Sequence, residues 1–180
     1  VYMLQYEMIP FLRGYQATRI LAWINPKKYS AAYWQQENSI MAIGSGQLWG
    51  KGLNNTEIAS VKNGNFLSEE QTDFIFAIIG EEMGFVGAMI VIALFLLLVY
   101  ECLMMAYRAK DLSGRLICTG MATLLAFQSF ANIAVATAIF PNTGLPLPFV
   151  SYGVSSLLSL YIGIGVVLNV GLQRRYSNEW

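Results

Sequence analysis

The feature that most constrains this chain is a run of 58 residues without a charge. Between Arg115 and Arg174 there is no Asp, Glu, Lys or Arg. A soluble fold needs a polar face on nearly every element, and soluble domains carry about 25% charged residues. This chain of 180 residues is only 12% charged and is 56% hydrophobic. The run therefore predicts an all-α, polytopic membrane protein.

The same run predicts how many helices it contains. About 20 apolar residues span the hydrocarbon core of a membrane, so 58 suit two spans rather than one. The reversal is predicted at 141–148, where three of the five prolines stand with an Asn and a Gly. A third span lies upstream and is interrupted only by Glu81 and Glu82. The apolar residues Val1–Pro10 resemble the end of a fourth span.

The predicted segments alternate between membrane helices and loops. They are the end of a membrane helix (1–10), a large extracytoplasmic loop (11–72), a membrane helix (73–100), a cytoplasmic loop (101–115), a second helix (116–140), an extracytoplasmic turn (141–153), a third helix (154–173) and a cytoplasmic tail (174–180). Because the chain starts inside an apolar stretch without a Met, we expect it to be a fragment of a larger membrane protein.

The orientation is predicted from basic residues in the short loops. Arg108, Lys110 and Arg115 lie between the first two complete spans, and Arg174 and Arg175 follow the last. Short cytoplasmic loops are enriched in Lys and Arg. The six basic residues of the 11–72 loop point the other way, but the rule is unreliable for loops longer than about 60 residues.

Composition also disfavours other classes of function. The 11 basic and 11 acidic residues cancel, so no basic field favours nucleic acid. The chain has no His, which removes the commonest general base and metal ligand. Cys102 and Cys118 lack metal-ligand spacing and are predicted to be free thiols.

Acidic residues cluster where the 73–100 helix begins. Glu69, Glu70 and Asp73 fall in its predicted first turns, behind a capping box at 68–71, where the helix dipole favours negative charge. Stabilisation of the helix start is a sufficient structural explanation for all three acids. The alternative is that Asp73 is catalytic. Asp73 shares a helical stripe with Glu81, about 12 Å deeper, and with small residues that let another helix approach in lipid: Ala77, Gly80, Gly84, Gly87 and Ala88.

Glu81 and the glycine-rich stretch each allow two interpretations. A carboxyl inside the bilayer is by default a functional hypothesis, but Glu81 and Glu82 are also consistent with buried acids paired to an Arg, a Lys or a polar group on a helix missing from this chain. Residues 44–52 hold four glycines, which allow backbone N–H groups to approach a ligand closely. The alternative is a loop that merely turns at the membrane surface.

Five stretches together resemble the SEDS proteins, the shape, elongation, division and sporulation family of RodA, FtsW and SpoVE. The resemblance covers essentially the whole chain, and its motifs are specific in combination. They are Tyr15-Gln16 with Arg19-Ile20, Ala42–Gly46, Thr72–Phe76, Gly80-Glu81-Glu82 with Gly84, and Pro148–Gly153. The family pattern Tyr-Gln-Arg-x-Arg loses one positive charge here, and Pro-Glu-x-His becomes Ser-Glu-Glu-Gln at 68–71, but neither departure removes the acid at position 73.

The resemblance implies a peptidoglycan glycosyltransferase that uses lipid II, with this chain as the C-terminal portion of a SEDS-like helical bundle. It places the family's essential acid on Asp73, as general base. Arg19, or a divalent cation such as Mg or Mn, would stabilise the leaving pyrophosphate. The other residues that the resemblance and the outer location suggest for substrate binding are Gly44, Ser45, Gly46, Lys51, Glu81, Glu82, Asn132, Pro148, Ser151, Tyr152 and Gly153.

The implied setting is the bacterial cell membrane, with a class B penicillin-binding transpeptidase as partner, lipid II as substrate and no nucleic acid. A role in elongation, division or sporulation stays open. A lipid II flippase is an alternative, but it would need polar groups continuing to the cytoplasmic side, whereas Met89–Val99 is wholly apolar. A noncatalytic scaffold for the transpeptidase is another. We expect residues 1–180 alone to be inactive, because part of the cavity would be missing.

Overall fold

The structure, a computed structural model, describes residues 14–52 and 73–173. Within these ranges it contains helices and no strand: α1 (Gly14–Ile24), α2 (Ser30–Ser45), α3 (Ile75–Arg108), α4 (Leu112–Ala136) and α5 (Val154–Gln173). The predicted helix end at 1–10, the predicted capping box at 68–71 and the predicted tail at 174–180 lie outside the described residues.

Three of these helices are long and apolar enough to cross a membrane. They are Ile75–Arg108, Leu112–Ala136 and Val154–Leu172. The all-helical class and the three complete spans are therefore confirmed, and the protein is a multi-pass membrane protein. The large extracytoplasmic segment predicted at 11–72 contains two helices in its described part, α1 and α2.

The helix ends differ from those that hydropathy predicts. Helix α3 continues past Tyr100 to Arg108, which leaves a short connection to α4. Beyond Glu101 the helix continues through Cys102–Tyr107, because one charged residue does not interrupt the backbone hydrogen bonds of a helix. Helix α4 ends at Ala136 rather than at residue 140, because Ala138 adopts a left-handed conformation (φ 56°) and its amide donates back to the carbonyl of Val135.

The spans pack through two apolar clusters. One cluster joins α3, α4 and α5, and its buried residues are Cys102, Ala106, Cys118, Ala122, Leu125, Leu160 and Val167. The other lies nearer the start of α3 and contains Phe76, Ala88, Phe95, Ala136 and Leu147. Large apolar side chains on the opposite faces, such as Leu94 and Leu158, stay exposed. Such surfaces suit contact with lipid or with further helices rather than with water.

Helix α2 lies over the end of α4 and satisfies its last carbonyls. A helix end leaves four carbonyl groups without intrahelical partners. The side-chain amide of Gln36 donates to the carbonyls of Val135 (3.1 Å) and Phe140 (2.8 Å), and the hydroxyl of Ser39 donates to that of Ala136 (2.7 Å). Because these contacts join α2 to the end of α4 and to the α4–α5 connection, this end of the bundle is a folded layer.

Helix α3 is broken at Gly84, where the backbone adopts φ 66° and ψ −165°. This conformation is essentially restricted to glycine. Residues 47–52, which we call the docked segment, lie alongside the break. Four backbone hydrogen bonds join the two: Phe85 to Gln47 (2.8 Å), Val86 to Leu48 (3.2 Å), Lys51 to Glu81 (2.9 Å) and Gly52 to Glu82 (3.0 Å), each written from amide to carbonyl.

Candidate functional site

Asp73 and Arg19 meet at one point of the α4–α5 connection. Asp73 lies just before α3 and is half-buried. A Cβ atom placed on Gly144 would lie 3.4 Å from Oδ2 of Asp73 and 3.6 Å from Nη1 of Arg19. Gly144 itself has φ 69°, which an L residue adopts only with strain. The carboxylate and the guanidinium therefore flank the same turn of backbone.

The connection is held in place by α1 and α2. Nη1 of Arg19 donates to the carbonyl of Asn142 at 3.1 Å, and Nε1 of Trp23, one helical turn further along α1, donates to the carbonyl of Ala138 at 2.9 Å. The Asn142 side chain donates to Oε1 of Gln35 at 3.3 Å and accepts from the amide of Gly144 at 3.2 Å. Arg19 is thus attached to the turn that Asp73 contacts.

Asn132 joins Asp73 to the other side of that turn. Its Nδ2 donates to the carbonyl of Asp73 at 2.8 Å and to the carbonyl of Leu145 at 2.7 Å. The side chain is buried, with 1% of its surface exposed. Asn132 was predicted to bind substrate, and the structure places its amide against two backbone carbonyls. Its role in substrate binding stays a prediction.

Lys51 and Glu81 form an ion pair at the helix break. Nζ of Lys51 lies 2.8 Å from Oε1 of Glu81, and the two side chains are 24% and 2% exposed. The interpretation of Glu81 as a buried acid paired to a cation therefore has its partner within this chain. The substrate-binding roles predicted for Lys51 and Glu81 stay predictions, as does that of the half-buried Glu82, whose carbonyl accepts the amide of Gly52.

The glycine-rich stretch makes a close approach to α3. A Cβ atom on Gly46 would collide with the carbonyl of Gly80, and one on Gly50 would collide with that of Glu82. The small-residue stripe of α3 is accordingly buried, as predicted from its spacing. Gly44 is exposed with open space around it, and the Ser45 hydroxyl donates within its own helix to Ala42 at 2.7 Å. A ligand contact of this stretch stays a prediction.

The Pro148–Gly153 motif forms a turn just before α5, and hydrogen bonds between Leu147 and Ser151 close it. The Ser151 hydroxyl accepts the amide of Leu147 at 2.7 Å, and the Ser151 amide donates to the Leu147 carbonyl at 3.0 Å. Pro148 is fully buried, whereas Tyr152 is 71% exposed. Of the residues predicted here, Tyr152 is therefore the one that presents a large side chain outward, and the half-buried Gly153 leads into α5.

Seven of the predicted residues thus form two groups, separated by about 12 Å along α3. Asp73, Arg19 and Asn132 form the first group, and Lys51, Glu81, Glu82 and Gly46 form the second. The Asn and the Gly beside the prolines indicated the turn, but nothing in the sequence indicated that Asn142 and Gly144 lie against Arg19 and Asp73. A carboxylate and a guanidinium on one rim can accept a proton and hold an anion.

Comparison with known proteins gives consistent matches. Residues 2–176 match the family model of FtsW, RodA and SpoVE, described as cell cycle protein. A probable peptidoglycan glycosyltransferase FtsW of Trichlorobacter lovleyi is 40% identical over 158 residues, which cover 87% of this chain and 40% of that protein. Stage V sporulation protein E of Bacillus subtilis is 39% identical over 163 residues (90% and 43%). Peptidoglycan glycosyltransferase MrdB of Escherichia coli is 39% identical over 171 residues (93% and 45%).

Two solved structures are also similar. A chain from a peptidoglycan synthase complex, described as coordinating polymerization and crosslinking, superposes with a TM-score of 0.67 at 32% identity and covers 92% of this chain and 44% of its own. An Asp-to-Ala variant of Thermus thermophilus rod shape determining protein RodA gives a TM-score of 0.57 at 29% identity (89% and 50%). The chain spans less than half the length of the curated relatives described above.

Proposed function

Because this chain belongs to the FtsW, RodA and SpoVE family of cell cycle proteins, we propose that the protein polymerises lipid II into the glycan strands of peptidoglycan. Relatives at 39–40% identity that are named peptidoglycan glycosyltransferases support this reading. The observation that carries the proposal is the meeting of Asp73 and Arg19 at Gly144, because it brings a base and an anion-binding group to one rim.

The reaction transfers the growing glycan strand to a new acceptor. The acceptor sugar hydroxyl forms a bond to the anomeric carbon of the lipid-linked strand, and the bond from that carbon to the pyrophosphate oxygen breaks. Asp73 takes the hydroxyl proton as the bond forms, and undecaprenyl pyrophosphate leaves with the electron pair. General base catalysis of this kind contributes about 10²–10⁴-fold to the rate of enzymes.

Arg19 is the residue that supports the departure of the pyrophosphate. Guanidinium groups form strong, charge-assisted hydrogen bonds to phosphate oxygens. One N–H of Arg19 already donates to the Asn142 carbonyl, which orients the group toward the turn that Asp73 contacts. A divalent cation remains a prediction of the resemblance. Within residues 14–52 and 73–173 no three Cys, Asp or Glu side chains cluster as ligands, so we assign no step to it.

The reaction takes place at the outer surface of the bacterial cell membrane in this proposal. Support comes from the position of the basic residues Arg108, Lys110 and Arg115, which lie at the α3–α4 connection, the opposite end of α3 from Asp73. Basic residues in short connections favour the cytoplasmic side. The docked segment, α1, α2 and the turn at 141–153 then lie on the extracytoplasmic side.

A class B penicillin-binding transpeptidase is the partner that we propose. Support comes from the structural neighbour, which is part of a complex that coordinates polymerization with crosslinking. A glycan polymerase alone forms no crosslinks, so an associated crosslinking enzyme would complete the synthesis of the wall.

Asp73→Asn tests the proposal. In membranes that contain the full-length protein and its partner, we expect this variant to lose lipid II polymerisation by at least 100-fold, with complex assembly unchanged. Asp111→Asn is the matched control, because Asp111 also precedes a membrane helix but lies at the opposite end. Polymerisation by Asp73→Asn at the wild-type rate would refute the assignment. Lipid II translocation without polymerisation by the wild type would favour a flippase, and partner binding without either activity would favour a scaffold.

A further inference from the structure

Asn132 is a buried amide in a helix that faces lipid over much of its surface. It lies near the outer end of α4, and 1% of its surface is exposed. Burying an amide costs free energy unless its polar atoms are hydrogen-bonded. Its nitrogen donates to two backbone carbonyls, so both hydrogen bonds hold main chain in place.

Both of these carbonyls belong to residues outside the helices. Asp73 precedes α3, and the first backbone bond at the start of that helix runs from the amide of Ala77 to the carbonyl of Phe74. Leu145 lies in the irregular connection between α4 and α5. A single planar amide with two N–H donors therefore sets the position of the Asp73 backbone relative to the backbone of Leu145.

The acceptor atom of the same amide shows that its donors are what matters here. Oδ1 of Asn132 is buried and has no hydrogen-bond donor among the described residues. An unsatisfied buried acceptor costs about 1–3 kcal/mol. A leucine of similar size would avoid that cost but would remove the donor from the carbonyls of Asp73 and Leu145, so the contribution of the amide lies in these two hydrogen bonds.

We infer that Asn132 is a positioning residue for Asp73, an inference that rests on the proposed function. Its two hydrogen bonds hold the acid against Gly144, beside the guanidinium of Arg19. Release of the Asp73 carbonyl lets the start of α3 shift relative to the turn. A misplacement of about 1 Å in a catalytic group can cost about 100-fold in rate.

The structure offers a matched control on the same helix. Gln128 lies one turn before Asn132, and its Nε2 donates to the carbonyl of Pro146 at 3.0 Å. Gln128→Leu removes one amide bond to the α4–α5 connection but leaves the bond between Asn132 and Asp73. Asn132→Leu removes a bond to the same connection together with the bond to Asp73. The two variants therefore separate a general loss of loop anchoring from a specific loss of Asp73 position.

The experiment measures kcat and KM for lipid II polymerisation by the full-length protein in complex with its partner. We expect Asn132→Leu to lower kcat about 100-fold with KM little changed, and Gln128→Leu to leave kcat within a few-fold of the wild type. Equal losses in both variants, an effect on KM alone, or an unchanged kcat in Asn132→Leu would overturn the inference.

Two further variants keep the test decisive. Asn132→Asp has the same size, and in its protonated form it offers one donor instead of two, so we expect a folded protein with reduced kcat. Wild-type kcat in Asn132→Asp would overturn the inference even if Asn132→Leu did not fold. Asp73→Asn is measured in parallel. Its inactivity beside a fully active Asn132→Leu would refute the positioning role alone, wild-type activity of Asp73→Asn would refute the catalytic role of Asp73, and absence of polymerisation in the wild type would refute the proposed function itself.

Discussion

The ion pair between Lys51 and Glu81 predicts an asymmetric response to neutralisation. The Glu81 side chain is 2% exposed and that of Lys51 is 24% exposed, with 2.8 Å between Nζ and Oε1. Removal of one partner of a buried pair costs about 3–5 kcal/mol because the remaining charge stays buried. For Lys51→Met we expect about 3 kcal/mol, the lower end of that range, because the partly exposed position of Lys51 lets water approach the carboxylate.

Neutralisation of the other partner should cost less. In Glu81→Gln the ammonium of Lys51 can turn toward solvent and the amide keeps a hydrogen bond, so we expect a loss of about 1 kcal/mol. The double variant carries neither charge, and replacement of a buried pair by neutral residues is often close to neutral in free energy. We therefore expect Lys51→Met with Glu81→Gln to be more stable than Lys51→Met alone.

The assay is the free energy of unfolding of all four proteins in one detergent, combined with KM for lipid II. Equal losses in the two single variants, with a double variant equal to their sum, would refute the reasoning, because uncoupled sites add. The KM values test a separate point. If Lys51 binds substrate directly, KM will rise in Lys51→Met and will not be restored by Glu81→Gln, whereas a purely structural pair predicts recovery in the double variant.

The remaining predictions concern Gly144 and Ala138, which both have a positive φ. Gly144→Ala should lower polymerisation at least 10-fold, because an L residue adopts a φ of 69° only with strain, and relief of that strain would shift the turn that Asp73 and Arg19 flank. Gly120→Ala, where nothing lies within 4 Å of the added atom, is its control in the polymerisation assay, and equal rates for the two would contradict the prediction. Ala138→Gly should raise the free energy of unfolding by about 1 kcal/mol, because Ala138 holds a φ of 56° that costs an L residue about 1–2 kcal/mol. A destabilised Ala138→Gly protein in chemical denaturation would show that the alanine methyl group matters more than the backbone strain.

The spans were predictable because their cause is local. A charge-free run between Arg115 and Arg174 is most stable inside the membrane. The cluster of prolines within that run fits only the turn between the two spans. The end of α3 at Arg108 was not predictable from hydropathy, because hydropathy records where a chain leaves lipid and not where its backbone bonds stop. The orientation of the bundle and its predicted segment boundaries at 1–10 and 174–180 stay predictions.

The candidate site was predictable in its chemistry and less so in its geometry. The position of Asp73 before a buried stripe of small residues indicated an acid at a protein-facing rim, and the structure places Arg19 beside it. The role of Asn132 was not readable, because an Asn in an apolar helix has the same pattern whether it faces a cavity or a backbone carbonyl. The partner of the Gly84 break was equally hidden, because the bonds from the docked segment join backbone atoms and carry no side-chain signature.

The break at Gly84 also has a consequence for how the protein assembles in the membrane. In an unbroken helix the amides of Phe85 and Val86 would pair with the carbonyls of Glu81 and Glu82, which makes two bonds. With the docked segment in place, the same four groups take part in four bonds. As a straight helix in the bilayer, α3 can therefore pair these backbone groups within itself, and the break can form afterwards. Docking of residues 47–52 replaces two intrahelical bonds with four bonds between the segments, so the broken form gains two backbone hydrogen bonds.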